Sequence, residues 1–323
     1  MSFDNIIGQD IAIRSLKNII SQDQIRGSYL FLGPNGVGKR SVSIEFAKAI
    51  NCELKDKDAC DRCSSCKRID SMNYPDVFEL YPEGASRSIK IDRIREVIYQ
   101  ASLKPYEGRK RVLIINNAEM TTEEAQNALL KLLEEPPENH IFILTVSNIS
   151  GLLETVISRC KILKFYPLSQ IRIHEFLQKD RKFDEVEAIL FSHMAMGSLG
   201  EAINFKKKGM LLQREEALND FFLRKTAILR ENVLSKGVSE DVEDSLYMLL
   251  YWYRDLLVAK FTQEQEQFLN IDKFEQILSY SSRFSTEKLQ KDLLNIMDTI
   301  GYIRGNINPK ISLFNLAVSL KNN

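Results

Sequence analysis

A glycine-rich loop set between two contrasting runs constrains this chain more than any other stretch. Gly33, Gly36, Gly38 and Lys39 follow the apolar run Tyr29–Leu32 and open onto the helix-like run Lys39–Ile50. Strand, glycine turn and helix in that order make a phosphate-binding loop. Its backbone N–H groups cradle phosphates, its lysine reaches the β and γ phosphates, and a hydroxyl after the lysine holds Mg²⁺. The hydroxyl is missing here. Arg40 stands in its place, adding positive charge where a metal belongs, and Ser41 comes one residue late.

The rest of the first half repeats the same alternation. Strands are predicted at Tyr29–Leu32, Val77–Leu80, Arg111–Ile115, Ile141–Val146 and Ile162–Phe165, with helices at Asp10–Ser21, Lys39–Ile50, Ile91–Leu103 and Thr122–Glu135. Short β-branched runs between amphipathic helices imply an α/β unit with a parallel sheet covered on both faces. Ala125, Ala128, Leu129, Leu132 and Leu133 form one helical stripe, Thr121 and Glu124 are spaced for a capping box, and Pro136 and Pro137 stop the helix. The run Val112–Ile115 ends in Asn116 and Asn117, where an ATP-hydrolysing enzyme of this class carries a carboxylate for metal and water. An amide oxygen is a far weaker Mg²⁺ ligand, and Glu119 sits too far along to replace it simply. Loss of hydroxyl and carboxylate together argues against Mg²⁺-dependent ATP turnover by this chain. Nucleotide binding through Lys39 and the backbone stays open.

Cys52, Cys60, Cys63 and Cys66 are spaced C-x7-C-x2-C-x2-C in a polar insertion. Such spacing lets thiolates converge on one tetrahedral ion, and with His140, His174 and His193 all distant the site is expected to be closed, structural and occupied by Zn²⁺. The insertion has too few apolar residues to fold without it. Cys160 stands apart and is expected to be half buried.

Beyond Pro167 the strand signals fade. Short helices are predicted at Ile171–Lys179, Glu185–Met196 and Leu199–Phe205, then a solvated connection at Lys206–Gly209, and an all-helical remainder from Met210 onward. There Leu246, Leu249, Leu250, Tyr253, Leu256 and Leu257 form a core stripe beside Trp252. A chain of 323 residues suits two or three domains, and 44 basic against 44 acidic residues exclude a strongly basic nucleic-acid binder by bulk charge. No secretory segment and no apolar run near the length of a membrane span is visible, so a soluble cytoplasmic protein is expected.

Taken in order, the glycine loop, the cysteine insertion, the run Ala128–Pro136 ending in Leu132, Leu133, Glu134 and Glu135, and the triplet Ser158, Arg159, Cys160 resemble the clamp-loader branch of the AAA+ family. The likeness extends from Phe3–Gln9 to the late runs Trp252–Leu256 and Asn306–Pro309. It implies an AAA+ nucleotide-binding-like domain over 1–166 with a zinc module at 52–66, a helical lid over 167–208, and a helical collar over 209–323. It also implies an open ring of five subunits, built with motor subunits and a delta subunit, which loads a sliding clamp on primer-template DNA. Motor subunits carry a threonine after the loop lysine, an acidic strand end and a lid arginine. This chain has Arg40, Asn116 and Gly200 in those places. The resemblance therefore implies a non-catalytic stator whose Arg159 acts in trans as an arginine finger. Without it, Arg159 would pass for a helix-end or surface arginine.

Two other readings stay open. The glycines and Lys39 support an AAA+ subunit that hydrolyses ATP itself. Alternatively, the cysteine module and the basic cluster Arg87, Lys90, Arg93 and Arg95 suggest a zinc-dependent interaction or nucleic-acid-binding protein. Against this, the insertion also holds Glu53, Asp56, Asp58 and Asp61.

Overall fold

The structure is a computed structural model and describes residues 2–54, 57–83, 88–180, 182–219, 240–305 and 307–321. It divides into two compact units, one of residues 1–172 with 197–200, the other of 173–196 with 201–323.

In the first unit five strands, β1 (Gly27–Leu32), β2 (Val77–Leu80), β3 (Arg111–Ile115), β4 (His140–Val146) and β5 (Cys160–Lys164), form one parallel sheet in the order β2-β3-β4-β1-β5. Successive side chains of a strand point to opposite faces, so the central strands, covered on both faces, are apolar at most positions. Ile141 and Ile143 of β4 join Tyr29, Phe31, Val112 and Ile114 in one core, against α1 (Asp10–Ser21) and α2 (Lys39–Asn51). Phe142 and Leu144 join Leu30, Leu113 and Ile115 in another. That face is covered by α4 (Ile91–Ser102), α5 (Glu123–Glu134) and the short α6 (Glu154–Ile157). The helix α3 (Ser64–Asp70) carries the last of the four clustered cysteines. Strand β5 is an edge, and its Lys161, Ile162 and Lys164 are exposed. Lysine on an edge discourages unwanted strand pairing.

The predicted strands and helices all occur, with ends displaced by at most two residues. The capping box does not. The N-cap of α5 is Thr122, no side chain caps it, and the Thr121 hydroxyl is buried without a hydrogen-bond partner. The backbone explains this: Thr121 forms a bridge with Ile89, which draws the residue inward before the helix begins.

Helices α7 (Gln170–Lys179) and α9 (Leu199–Lys207) each start in the first unit and continue into the second. The second unit also holds α8 (Glu185–Met194), α10 (Met210–Ala217), α11 (Glu240–Val258), α12 (Phe274–Ser281), α13 (Thr286–Arg304) and α14 (Pro309–Lys321). Its core contains Leu246, Leu249, Tyr253 and Leu256 of the expected stripe together with Trp252, with Leu250 and Leu257 packed partly buried against it. Asp255 is fully buried there, accepting from the backbone N–H groups of Leu269 and Asn270. Between α9 and α10 the backbone turns at Gly209, φ +62°, a left-handed conformation that glycine adopts without strain. The lysines before it are less free than expected. Lys206 pairs with Glu187, and Lys208 with Asp244 at 2.7 Å. Residues 220–239 of the expected helical remainder, and Asp56, Arg87 and Asn306 of the motifs above, lie outside the described residues.

Candidate functional site

The loop after β1 needs its glycines for specific reasons. A Cβ on Gly33 would stand 2.3 Å from the Phe165 carbonyl oxygen, and Gly36 and Gly38 have φ of +71° and +104°. Lys39 opens α2 but turns back on its own loop. Its Nζ donates to the carbonyls of Gly33 (2.5 Å) and Pro34 (2.7 Å). The side chain is buried, and burial pushes its pKa down to about 8, against a smaller upward pull from Glu119. The other side of the loop is also engaged. The Gly200 N–H donates to the Gly36 carbonyl at 2.8 Å, and a Cβ on Gly200 would come within 2.7 Å of Gly36 Cα. Position 200 is thus in close main-chain contact with the loop. Gln9 braces the loop from below, donating to the carbonyls of Val37 (3.1 Å) and Tyr166 (2.7 Å). Beside it lies an open cleft of about 400 Å³ whose lining includes Gly8, Lys164, Leu168 and Arg172.

Arg40 corrects one expectation. Its charge is not left bare at the loop. Nη2 meets Glu79 Oε2 at 2.7 Å, and Nε donates to Glu79 Oε1 at 3.1 Å and Tyr81 Oη at 2.5 Å. Glu79 is nearly buried and also accepts from Asn116 Nδ2 at 3.3 Å, while the Thr145 hydroxyl donates to Asn116 Oδ1 at 3.4 Å. The strand-end amide and its neighbouring carboxylate are therefore bound into a protein network instead of facing an open cation site. Glu119 accepts from the Ser147 N–H (2.9 Å) and from its hydroxyl.

Arg159 lies at the other end of the sheet. It immediately precedes β5, whose Cys160 is paired with Ser28, so it stands level with the start of β1, while the loop follows the end of β1. Six strand residues at about 3.3 Å each separate the two by on the order of 20 Å. Its guanidinium is held by Glu134 Oε2, through Nε at 3.0 Å and Nη2 at 2.8 Å, and by the Thr155 carbonyl through Nη1 at 2.9 Å.

The four clustered cysteines come together as their spacing implied. Their Sγ atoms all lie within 4.8 Å of one another, with Cys60 and Cys66 at 4.0 Å. A tetrahedral ion with Zn–S near 2.3 Å needs sulfurs about 3.8 Å apart, so the cluster would contract by only about 1 Å. The backbone N–H of Cys63 donates to Cys60 Sγ (3.3 Å) and that of Cys66 to Cys63 Sγ (3.4 Å). The N–H groups of Arg62 and Cys63 draw the Cys60 thiol down to about 6, while burial raises that of Cys66. The donor set fits a soft, charge-compensating cation. Cys160, half buried as expected, is pushed up to about 12 by burial and stands apart from the cluster.

A fully buried Lys48 on α2 ties this module to the sheet unit. Its ammonium meets Glu45 at 3.1 Å, Asp61 within the module at 2.5 Å, and Asp70 at the end of α3 at 2.9 Å. In the basic cluster, Arg93 pairs with Glu83 and Glu96, and Arg95 with Asp92, so these two arginines do not stand as a bare phosphate-binding patch. Sequence reasoning missed Glu79 and Lys48, and named Glu134 only as part of a family run, without its partner. Glu79 and Glu134 act on partners 39 and 25 residues away, and Lys48 reaches beyond its helix to Asp61, 13 residues on.

Two family models match. One, described as DNA polymerase III, delta subunit, covers residues 8–169; the other, its C-terminal part, covers 209–321. Among curated proteins, DNA polymerase III subunit delta' of Bacillus subtilis is 27% identical over 97% of this chain and 96% of its own length. DNA polymerase III subunit tau/gamma of Haemophilus influenzae is 30% identical over 72% of this chain, which spans about a third (34%) of that protein. A solved DNA polymerase III gamma subunit-related protein of Thermotoga maritima shares the fold, with a TM-score of 0.50 at 22% identity over 96% of this chain and 98% of that one. Among the described residues no helix is long and apolar enough to cross a membrane. With its parallel five-stranded AAA+ sheet, its four-cysteine module and its helical C-terminal part, the chain belongs to the DNA polymerase III delta-subunit family of clamp-loader proteins.

Proposed function

We propose that this chain is a non-catalytic stator of a clamp loader, of the delta-prime type, and that Arg159 serves ATP held by a neighbouring motor subunit. The observation that carries the reading is the polarity of the sheet. Arg159 and the phosphate loop stand at its opposite ends, so this arginine is out of reach of its own loop and any phosphoryl group it serves belongs to another subunit. A guanidinium set against developing phosphoryl charge accelerates transfer by roughly 10³–10⁵. The state of the chain's own loop agrees. Lys39 is engaged with loop carbonyls, Gly36 with Gly200, and Asn116 with Glu79 and Thr145, and neither the hydroxyl nor the carboxylate for Mg²⁺ is in its place.

The remaining parts follow the family. Residues 1–166 form the AAA+ body, 167–208 the lid, and 209–323 the collar that joins motor subunits and a delta subunit in a ring of five. Cys52, Cys60, Cys63 and Cys66 hold a structural Zn²⁺. The assembly works on a sliding clamp and primer-template DNA in the cytoplasm.

ATP hydrolysis by the purified chain, alone and assembled with motor and delta subunits, tests the reading. The chain alone is expected to be inactive, and Arg159→Ala to fold and assemble but lose most DNA- and clamp-stimulated turnover. Unchanged turnover by the Arg159→Ala complex would refute the finger. Sustained hydrolysis by the lone chain would favour a motor-type subunit instead, the reading supported by the intact glycines and Lys39.

A further inference from the structure

We propose that Glu134 is the positioning residue for Arg159, locking the guanidinium so that one N–H on each terminal nitrogen is presented outward. The inference rests on the reading of Arg159 as a finger. Glu134 is the last residue of α5, at the negative end of the helix, where a carboxylate is disfavoured. It is 58% exposed and free to extend into water, yet Oε2 accepts from both Nε and Nη2 of Arg159. The Thr155 carbonyl on α6 takes a third donor from Nη1. A guanidinium has five N–H groups. Three are engaged, which leaves one on Nη1 and one on Nη2.

An arginine is a long, rotamer-rich side chain, and a partly exposed one beside a sheet edge has no reason to hold one pose without anchors. Here two anchors on two different helices fix both the position and the plane of the head group. The free pair of N–H groups forms a fork, the geometry that suits two oxygens of one phosphoryl group. Preorganisation of this kind acts on the transition state more than on substrate binding, because the donors need no rearrangement when charge develops.

The test is a double-mutant cycle in the assembled clamp loader, reading kcat and KM for ATP under DNA and clamp stimulation. Glu134→Gln keeps the shape and removes the charge. It should lower kcat by roughly three- to tenfold with KM changed by less than about twofold, and Glu134→Asp should restore at least about half. In the Arg159→Ala background Glu134→Gln should do nothing further. Three results would overturn the proposal: unchanged or raised turnover in Glu134→Gln, an equal loss in both backgrounds, or a rise in KM without loss of kcat. If Arg159→Ala itself leaves turnover intact, the finger reading falls and positioning falls with it. A deficient Arg159→Ala beside a normal Glu134→Gln sinks positioning alone. Gel filtration of each complex and the thermal midpoint of each variant keep assembly and folding in view.

Discussion

Gly200→Ala puts the close approach of the start of α9 and the phosphate loop to a quantitative test. The added Cβ would lie 2.7 Å from Gly36 Cα and 3.2 Å from Gly36 O. Both are main-chain atoms, so no side chain can swing aside and either loop or helix must shift. Overpacking of this kind costs about 1–3 kcal/mol. Loss or stretching of the 2.8 Å Gly200 N–H bond to Gly36 costs about 1 kcal/mol more. Alanine returns at most about 1 kcal/mol through its helical preference, and less in a first turn. The net loss is about 1–3 kcal/mol, which at about 2–4 °C per kcal/mol lowers the melting midpoint by roughly 2–12 °C. Gly301 in α13 is the control, because nothing lies within 4 Å of a Cβ built there. Gly301→Ala should be neutral or stabilising by up to about 1 kcal/mol. Calorimetry on the two variants reads both signs in one experiment. If Gly200→Ala melts at or above the parent temperature, the main-chain contact between Gly200 and Gly36 does not pack as described, and the reasoning fails.

Two further outcomes are expected. Burial sets the Lys39 pKa at about 8, below its ordinary value of 10.5, so the folded state is penalised while the amine is charged. That penalty is full below pH 8 and fades as the pH climbs toward 10.5. Relative to Lys39→Met, the parent chain should therefore gain stability between about pH 8 and about pH 10.5 in denaturant titrations; a gap that ignores pH would contradict the burial. Cys66→Ala should abolish stoichiometric zinc in elemental analysis and loosen residues 57–70 to protease, since a structural zinc contributes on the order of 10 kcal/mol to folding a small module. A parent protein purified without metal, equally resistant, would reject the ion.

Legibility in the sequence followed the range of the interactions. The strands were readable because Val112–Ile115 is an unbroken apolar run and Ile141–Val146 is interrupted only by Thr145, both bounded by polar breakers and buried on both faces. The cysteine cluster was readable because ligand spacing is itself local. The Arg40 substitution was visible, but its neutralisation was not, since Glu79 lies on a different strand and carries no signal that it faces the loop. The Gly200 contact was hidden for the same reason: a missing arginine was legible, a main chain pressed on Gly36 was not. Thr121 and Glu124 had the spacing of a capping box, yet the Ile89 bridge overrode the local preference. Lys48 carries no signal in the sequence, although it is fully buried among three carboxylates.

A parallel sheet has a top and a bottom, and on the proposed reading its two ends carry unlike fittings: a plug at one end, Arg159, and at the other a socket, the phosphate loop, whose lysine is already engaged by its own carbonyls. Subunits that join plug to socket extend in one direction, as a row with no built-in stop. A protomer of this build has nothing to offer the plug of the subunit behind it. On that reading such a row begins at this chain, and its direction is set by one member instead of by all of them.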